Sequence, residues 1–409
     1  LADFGFRITI VNRGGYKHPV TGDMRRGLWY KNDKERILYL EDDVDDFIRK
    51  EDMNEKTDQL TDFLHNFLTE EGTPFELIMS HYWDAAKIGV LLNRKLDSKV
   101  KHIWIPHSLG AVKKRNMPEE TWGKLRIHER IDTEQSLMPE LNYIAATSSL
   151  IRSSLQNDYH YAQDKLLFLP PCVKTEKFHP MDIPGDHEIW SFLQSISNGL
   201  TIEELQSGKR ITEISRTDQT KRKDVLIKAF AELNKKYPET ILVAAIDESA
   251  PELYKELTGL AKKLGVEKRV IPLGHVPKQV PFLYNITEVY CSPSIMEGFG
   301  MSVQEAAASR VPVVGSTKIP FVKEYLIGDN PEKVSHEGMK GQPILKGEGG
   351  LLVEADDVAG FTKAMELLIE DDALRKAMGD KAYDITIPYF TWEEMIKRLF
   401  AKVGVSLPN

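Results

Sequence analysis

Short apolar runs alternate with longer amphipathic segments along most of the chain. Ile8–Val11 and Ile37–Leu40 read as buried strands, too short for helices and rich in branched side chains. Lys56–Glu71 (KTDQLTDFLHNFLTEE) spaces its apolar residues three and four apart, the period of a helix lying on a core. Leu77–Ser80 and His102–Pro106 are further strands, with a helix near Ala85–Leu96 between them. Thr121–Leu137 is a charged helix and Tyr143–Thr147 another strand. The pattern breaks at Leu167–Pro180 (LFLPPCVKTEKFHP), which is proline-rich and irregular, and the stretch after it shows no clear period.

A second series follows: strand Ile211–Ser215, helix Asp224–Lys236, strand Ile241–Ala245, helix Ala250–Leu264, strands Val270–Leu273 and Glu288–Cys291, a helix from Met301 and strand Val311–Val314. Residues 331–349 are polar and glycine-rich and read as a surface loop. Strands alternating with helices in both halves predict two α/β domains with parallel sheets. Their expected bounds are 1–170 and 171–380, with 381–409 a helical segment that crosses back to the first domain. Such domains bind ligands at the carboxyl ends of their strands, so two of them facing each other predict a ligand cleft. LADFGF, ahead of the first strand, reads as the last turn of a helix and a glycine connection; a strand and most of a helix are expected upstream.

Length and composition narrow the class. A chain of 409 residues suits two or three domains. Its 41% hydrophobic and 28% charged content is that of a globular protein. A net charge of −8 argues against a nonspecific nucleic-acid binder. No apolar run approaches the roughly 18 residues of a membrane span. Cys172 and Cys291 are too few for a disulfide or metal framework, and no signal peptide is visible. The cytoplasm is the expected setting.

The chemistry concentrates in IMEGFGMSVQEAAASRVPVV, residues 295–314. Gly298 and Gly300 let the backbone turn between a strand end and a helix, leaving the amides of Phe299, Gly300, Met301 and Ser302 without helix partners. That is an anion site. Glu297 and Glu305 bracket it, and two carboxylates beside an anion suit hydroxyl groups on either side of it. A nucleotide-sugar has that layout: ribose hydroxyls, diphosphate, hexose hydroxyls. The plainer reading has Glu305 complementing the helix dipole and Glu297 solvated in a turn. SRTDQTKRKD, residues 215–224, sits between another strand and helix, so Arg216 and Lys221 reach the same crevice and can offset the charge of a leaving diphosphate. Arg222 and Lys223 read as a solvated basic turn.

Arg216 and Lys221 with Glu297 and Glu305 resemble the donor site of retaining glycosyltransferases of GT-B fold, the large family 4 that contains sucrose and sucrose-phosphate synthases. PPCVKTEKFHP is similar to that family's interdomain segment, and the resemblance runs from residue 1 to about 395. It implies that Arg216 and Lys221 contact the donor diphosphate, Glu297 and the turn amides hold the hexose, and Glu305 holds the ribose. Gly298 stands where proline is common in the family, Arg310 and Cys172 where glycine is usual, and the family's glycine-rich acceptor loop would lie upstream of Leu1. Val276, in LGHVP, is expected to line the base pocket through its backbone.

The first half then carries the acceptor. IPHSLGAVK, residues 105–113, resembles the family's HSLG segment, and His107 matches the active-site histidine near the transferred hexose. Lys50, Tyr82, Lys113 and Arg130 match positions that bind the acceptor phosphate in sucrose-phosphate synthases, and Ser108 matches a hydroxyl used similarly in inositol-phosphate glycosyltransferases. Arginine offers a planar fork, lysine a point charge, and tyrosine and serine neutral donors. The resemblance implies transfer of a hexose from UDP-glucose or GDP-mannose to a sugar phosphate such as fructose 6-phosphate, without metal or cofactor. The competing readings are an inositol-phosphate acceptor, a nucleotide-sugar-binding module without turnover, and transfer to lipid or polysaccharide. A dinucleotide-dependent dehydrogenase predicts a GxGxxG after a strand, which Gly14–Gly15 does not supply.

Overall fold

The computed structural model describes residues 1–19, 21–97, 99–337 and 342–408. It divides into two compact units, Leu1–Pro170 with Ile396–Asn409, and Pro171–Met395.

The first unit contains strands β1 (Ile8–Arg13), β2 (Gly27–Tyr30), β3 (Glu35–Leu40), β4 (Leu77–His81), β5 (Lys101–Ile105), β6 (Tyr143–Ala146) and β7 (Leu166–Phe168). β4 to β7 form a parallel sheet in chain order, with Ile103 paired to Met79 on one side and Tyr143 on the other. β1, β3 and β2 form a second sheet, in which β2 runs antiparallel to β3. This departs from an all-parallel first domain. The cause is a hairpin after Tyr30, where the Asn32 side-chain oxygen accepts from the Lys34 and Glu35 amides at 2.9 and 2.8 Å. Helix Thr57–Glu71 buries Leu60 and Leu64, and helix Tyr82–Lys95 buries Trp83, Ala86 and Val90, in one cluster with Trp104 and Ile144 of the sheet. The charged helix expected over Thr121–Leu137 is shorter than its sequence suggests. A 3₁₀ turn covers Glu119–Thr121, Gly123 follows, and Arg126 takes a left-handed φ of 43° before helix Ile127–Leu137 starts.

The second unit holds β8 (Lys209–Glu213), β9 (Thr240–Ala245), β10 (Val270–Leu273), β11 (Val289–Ser292), β12 (Val313–Ser316), β13 (Glu332–Val334), β14 (Ile344–Lys346) and β15 (Gly350–Val353). Their order is β10-β9-β8-β11-β12-β15-β14-β13, parallel through β15 and antiparallel beyond it. Alternate residues of β9 enter different cores, as the pleat requires. Leu242 and Ala244 pack with Leu226, Phe230 and Phe361 of the helices on one face, while Ile241 and Val243 pack with Ile189, Trp190 and Leu193 on the other.

Two sequence expectations change here. The aperiodic stretch before β8 contains helices Glu188–Ile196 and Ile202–Ser207, the second started by a capping box of Thr201 and Glu204. The surface loop expected over 331–349 includes β13 and β14, which pair as an antiparallel extension of the sheet; its residues 338–341 lie outside the described residues.

The chain winds from β8 outward to β10, then returns to lay β11, β12 and β15 on the other side. The winding reverses between β8 and β11, and the crevice at the carboxyl ends of those two strands is where ligands bind in such sheets. No helix among the described residues is long and apolar enough to cross a membrane.

Candidate active site

The loops that leave β8 and β11 converge at this reversal. Ile295 donates its amide to the Thr220 carbonyl at 2.8 Å, tying one loop to the other. Lys221 is buried, with its ammonium 2.6 Å from Glu297 Oε1. Arg216 stands apart. Its side chain is 87% exposed, and Asp218, 3.7 Å away, is its ion-pair partner.

The helix after the glycine turn runs Met301–Ala308. Gly300 has φ 109°, and a Cβ there would lie 2.6 Å from Ile319 Cγ2, so both conformation and space require glycine. The Gln304 amide is bonded to the Gly300 carbonyl, which leaves Met301, Ser302 and Val303 as the unpaired donors of the first turn. Around Gly298 there is open space for a Cβ. Phe299 contributes backbone only: its ring is buried against Phe321 and Phe390, at centroid distances of 5.5 and 5.8 Å. The Ser302 hydroxyl accepts from Tyr290 at 2.8 Å. One turn further, Glu305 Oε2 accepts from the Tyr284 hydroxyl at 3.1 Å. Burial holds the Glu305 carboxyl above the usual range, opposed by that bond and by Lys177. Val276 is half-buried three residues beyond β10.

Lys223 corrects a sequence reading. It lies inside the unit rather than in a solvated turn, its ammonium 2.5 Å from Glu213 Oε2. Helix geometry explains the difference. Arg222 takes a left-handed φ of 49°, so helix Lys223–Lys236 starts there and turns Lys223 inward, while Arg222 pairs at the rim with Asp224 and Asp356.

In the first unit, a pocket is lined by Lys50, Glu51, Trp83, Lys113, Leu125, Arg126, Glu129, Arg130 and Thr133. Three of the residues expected to bind an acceptor phosphate are therefore brought together. Tyr82 adjoins them, with the Lys50 ammonium 3.6 Å from its ring centroid. Lys113 pairs loosely with Glu51 at 3.4 Å. Arg130 is buried; its Nε donates to Glu134 Oε1 at 2.8 Å, and one Nη donates to the Ser108 carbonyl and hydroxyl at 2.7 and 3.0 Å. Among the described residues Lys50 has no carboxylate within ion-pair distance. Burial, then the neighbouring Arg130 and Lys113 charges, push its ammonium down to about 8, against the opposing pull of Asp84 and Glu51.

His107 and Tyr82 sit at the carboxyl ends of β5 and β4 with left-handed φ of 54° and 68°. His107 Nε2 is 2.7 Å from His81 Nδ1, and the two rings stack with centroids 5.1 Å apart. Burial, His81 and Lys50 push the His107 imidazole down to about 4, so it is neutral at physiological pH. His81 was not visible as a site residue, although it directly precedes Tyr82 in SHYWD. Arg126 and the acids Glu51 and Glu129 were also missed, because they come from separate segments whose spacing does not relate them. Glu134 holds the pocket from behind: it accepts from the Gly110 amide at 2.9 Å and from the Tyr159 hydroxyl.

Residues 203–385 match the family described as Glycosyl transferases group 1. The chain is similar to mannosylfructose-phosphate synthase of Agrobacterium fabrum, 27% identical over 327 residues that cover 77% of this chain and 68% of that protein. It is also similar to D-inositol 3-phosphate glycosyltransferase of Corynebacterium aurimucosum, 26% identical over 352 residues that cover 84% of this chain and 75% of that protein. In fold it superimposes on sucrose-phosphate synthase from Thermosynechococcus elongatus with a TM-score of 0.72, at 18% identity, covering 98% of this chain and 90% of that one. Residues 203–385 are thus a group 1 glycosyltransferase domain, and the chain that carries them is a glycosyltransferase of GT-B fold, with two Rossmann-like units.

Proposed function

We propose that this glycosyltransferase moves a hexose, with retention of configuration, from a nucleoside diphosphate sugar to a phosphorylated sugar acceptor. UDP-glucose or GDP-mannose is the proposed donor and fructose 6-phosphate the proposed acceptor. The observation that carries the reading is the pocket cation Lys50, which among the described residues has no carboxylate within ion-pair distance and lies beside Lys113 and Arg130. Lys113 and Arg130 already hold Glu51 and Glu134, which leaves Lys50 as the charge that a phosphate would meet. The names of both relatives, a mannosylfructose-phosphate synthase and an inositol 3-phosphate glycosyltransferase, support a phosphorylated sugar or polyol.

On this reading the bond from the hexose anomeric carbon to the diphosphate oxygen breaks, and an acceptor hydroxyl oxygen bonds to that carbon from the same face. Its proton passes to the departing phosphate oxygen. Arg216, Lys221 and the amides at Met301 and Ser302 stabilise the charge gathering on the diphosphate, and the proposed reaction uses no metal. Glu297, oriented by Lys221, takes hexose hydroxyls, and Glu305 takes the ribose. Val276 and its neighbours line the base. His107 is a neutral hydrogen-bond partner near the hexose, not a general acid. Two buried cysteines, Cys172 and Cys291, suit a reducing compartment such as the cytoplasm.

The test is a matrix. UDP-glucose, GDP-mannose and ADP-glucose are each incubated with fructose 6-phosphate, free fructose and inositol 1-phosphate, and nucleoside diphosphate release is measured. Turnover with a phosphorylated acceptor and not with free fructose is expected. The inositol reading is distinguished by which phosphate is used. Equal rates with free and phosphorylated fructose would overturn the acceptor assignment, and nucleotide binding without turnover would point to a module that does not catalyse.

A further inference from the structure

Lys223 lies two positions beyond Lys221 and, like it, is buried against a glutamate. Its side chain and that of Glu213 are each 1% exposed and 2.5 Å apart. The same ammonium donates to the Ala245 carbonyl at 2.5 Å, and to the Ser215 hydroxyl and carbonyl at 3.1 and 3.3 Å. One cation therefore ties the end of β8, the start of its exit loop and the end of β9. Thr217 adds a second tie: its hydroxyl donates to the Ala245 carbonyl at 3.0 Å and accepts from the Asp247 amide at 2.9 Å. The loop held this way is the one that carries Arg216 and Lys221.

Stability alone is a poor account of this pair. Removing two ions from water costs several kcal/mol each, and a well-packed apolar pair of similar volume is as stable or more so. The arrangement is also incomplete, because Glu213 Oε1 is buried with no hydrogen-bond partner among the described residues. What the ammonium supplies, and an apolar side chain cannot, is three directed contacts to two loop ends. We infer that Glu213 and Lys223 are positioning residues that set the diphosphate-binding loop. The inference rests on the proposal that Arg216 and Lys221 hold the donor diphosphate.

The test uses the full chain with UDP and GDP as calorimetric probes, alongside acceptor KM and thermal melting. The double variant Glu213→Leu/Lys223→Met is expected to melt at or above the wild-type temperature. It should bind the preferred nucleotide about tenfold more weakly or worse, since small misplacements of a binding group cost factors of this size. Its acceptor KM should stay unchanged. A folded double variant with wild-type nucleotide affinity overturns the inference. Should that variant fail to fold, Ser215→Ala/Thr217→Val cuts the ties from the loop side: weakened nucleotide binding supports the inference, and unchanged binding overturns it. Lys221→Met separates the two levels. Loss of binding in Lys221→Met with none in the double variant sinks the positioning role alone. Unchanged binding in Lys221→Met removes the donor-site reading and the inference with it.

Discussion

Lys50→Met isolates phosphate binding from folding. Most cations near the pocket hold a carboxylate, so removing one orphans an acid: Arg130 holds Glu134, and Arg126 holds Asp52, Glu55 and Glu129. Lys50 leans on the Tyr82 ring instead. A charge-assisted hydrogen bond is worth about 1.5–3 kcal/mol net. Losing one should raise the KM for fructose 6-phosphate by roughly 10- to 150-fold. Free fructose, which offers no phosphate, should be used as poorly as before. Stability follows from the depressed ammonium, which titrates at about 8 in the folded chain and 10.5 when unfolded. Between those values the unfolded chain binds more protons, so stability rises with pH across that window. Below it the penalty of the buried charge is fully present. At pH 7 the methionine variant should therefore melt no lower than wild type. The same titration enters the kinetics: wild-type kcat/KM for the phosphorylated acceptor should fall as pH rises through about 8, and the variant should lack that limb. Initial rates of nucleoside diphosphate release on both sides of that pH measure all three effects. An unchanged KM for fructose 6-phosphate, or an equal loss for free fructose, would refute the reasoning.

Three further perturbations discriminate between roles. Arg130→Ala leaves the buried Glu134 carboxylate without its cation, so unfolding free energy should drop by about 3–5 kcal/mol along with acceptor affinity, while donor KM holds; a urea midpoint equal to wild type contradicts this. Glu305→Gln should raise donor KM about tenfold if it holds ribose hydroxyls, because charge-assisted bonds are lost. If Glu305 only complements the helix dipole, the change costs a few tenths of a kcal/mol of stability and donor KM stays put. Gly300→Ala forces a Cβ onto Ile319 at φ 109°, so about 1–3 kcal/mol of stability and much of the donor affinity should go; wild-type melting with wild-type donor KM would show that the turn tolerates a side chain.

The proposed donor turn was legible because its chemistry is local. Glu297, the glycines, Met301, Ser302 and Glu305 lie in one strand–turn–helix, and helix geometry alone predicts unpaired amides there. Lys221 was also readable as a strand-end residue, but its ion pair with Glu297 joins positions that only the neighbouring of β8 and β11 brings close. The proposed acceptor pocket is the opposite case. Lys50, Lys113 and Arg130 come from three separate segments, and nothing in their spacing relates them. They were assembled in the sequence only through resemblance to a family, and that resemblance said nothing of His81 or Arg126.

Lys223 marks the boundary between the two kinds of knowledge. Alternating apolar runs were enough for two α/β halves, the starts of helices Thr57–Glu71, Lys223–Lys236, Pro251–Lys263 and Met301–Ala308 to within a residue, and the location of the glycine turn, since burial on a pleat or a helix face imposes its own period. Charge carries no such period. A lysine in SRTDQTKRKD reads as solvated because ions avoid apolar interiors, and that rule fails only where a partner is buried opposite. Glu213, ten residues earlier, supplies the partner across the strand–loop–helix turn, and which face Lys223 takes depends on where Arg222 bends the chain. Sequence by itself thus determined many of the elements and the glycine turn between Glu297 and Glu305. Tertiary structure decided which charges are buried, which are paired and which, like Lys50, lie in a pocket with no carboxylate at ion-pair distance among the described residues, because electrostatic environment is set by through-space neighbours rather than by chain order.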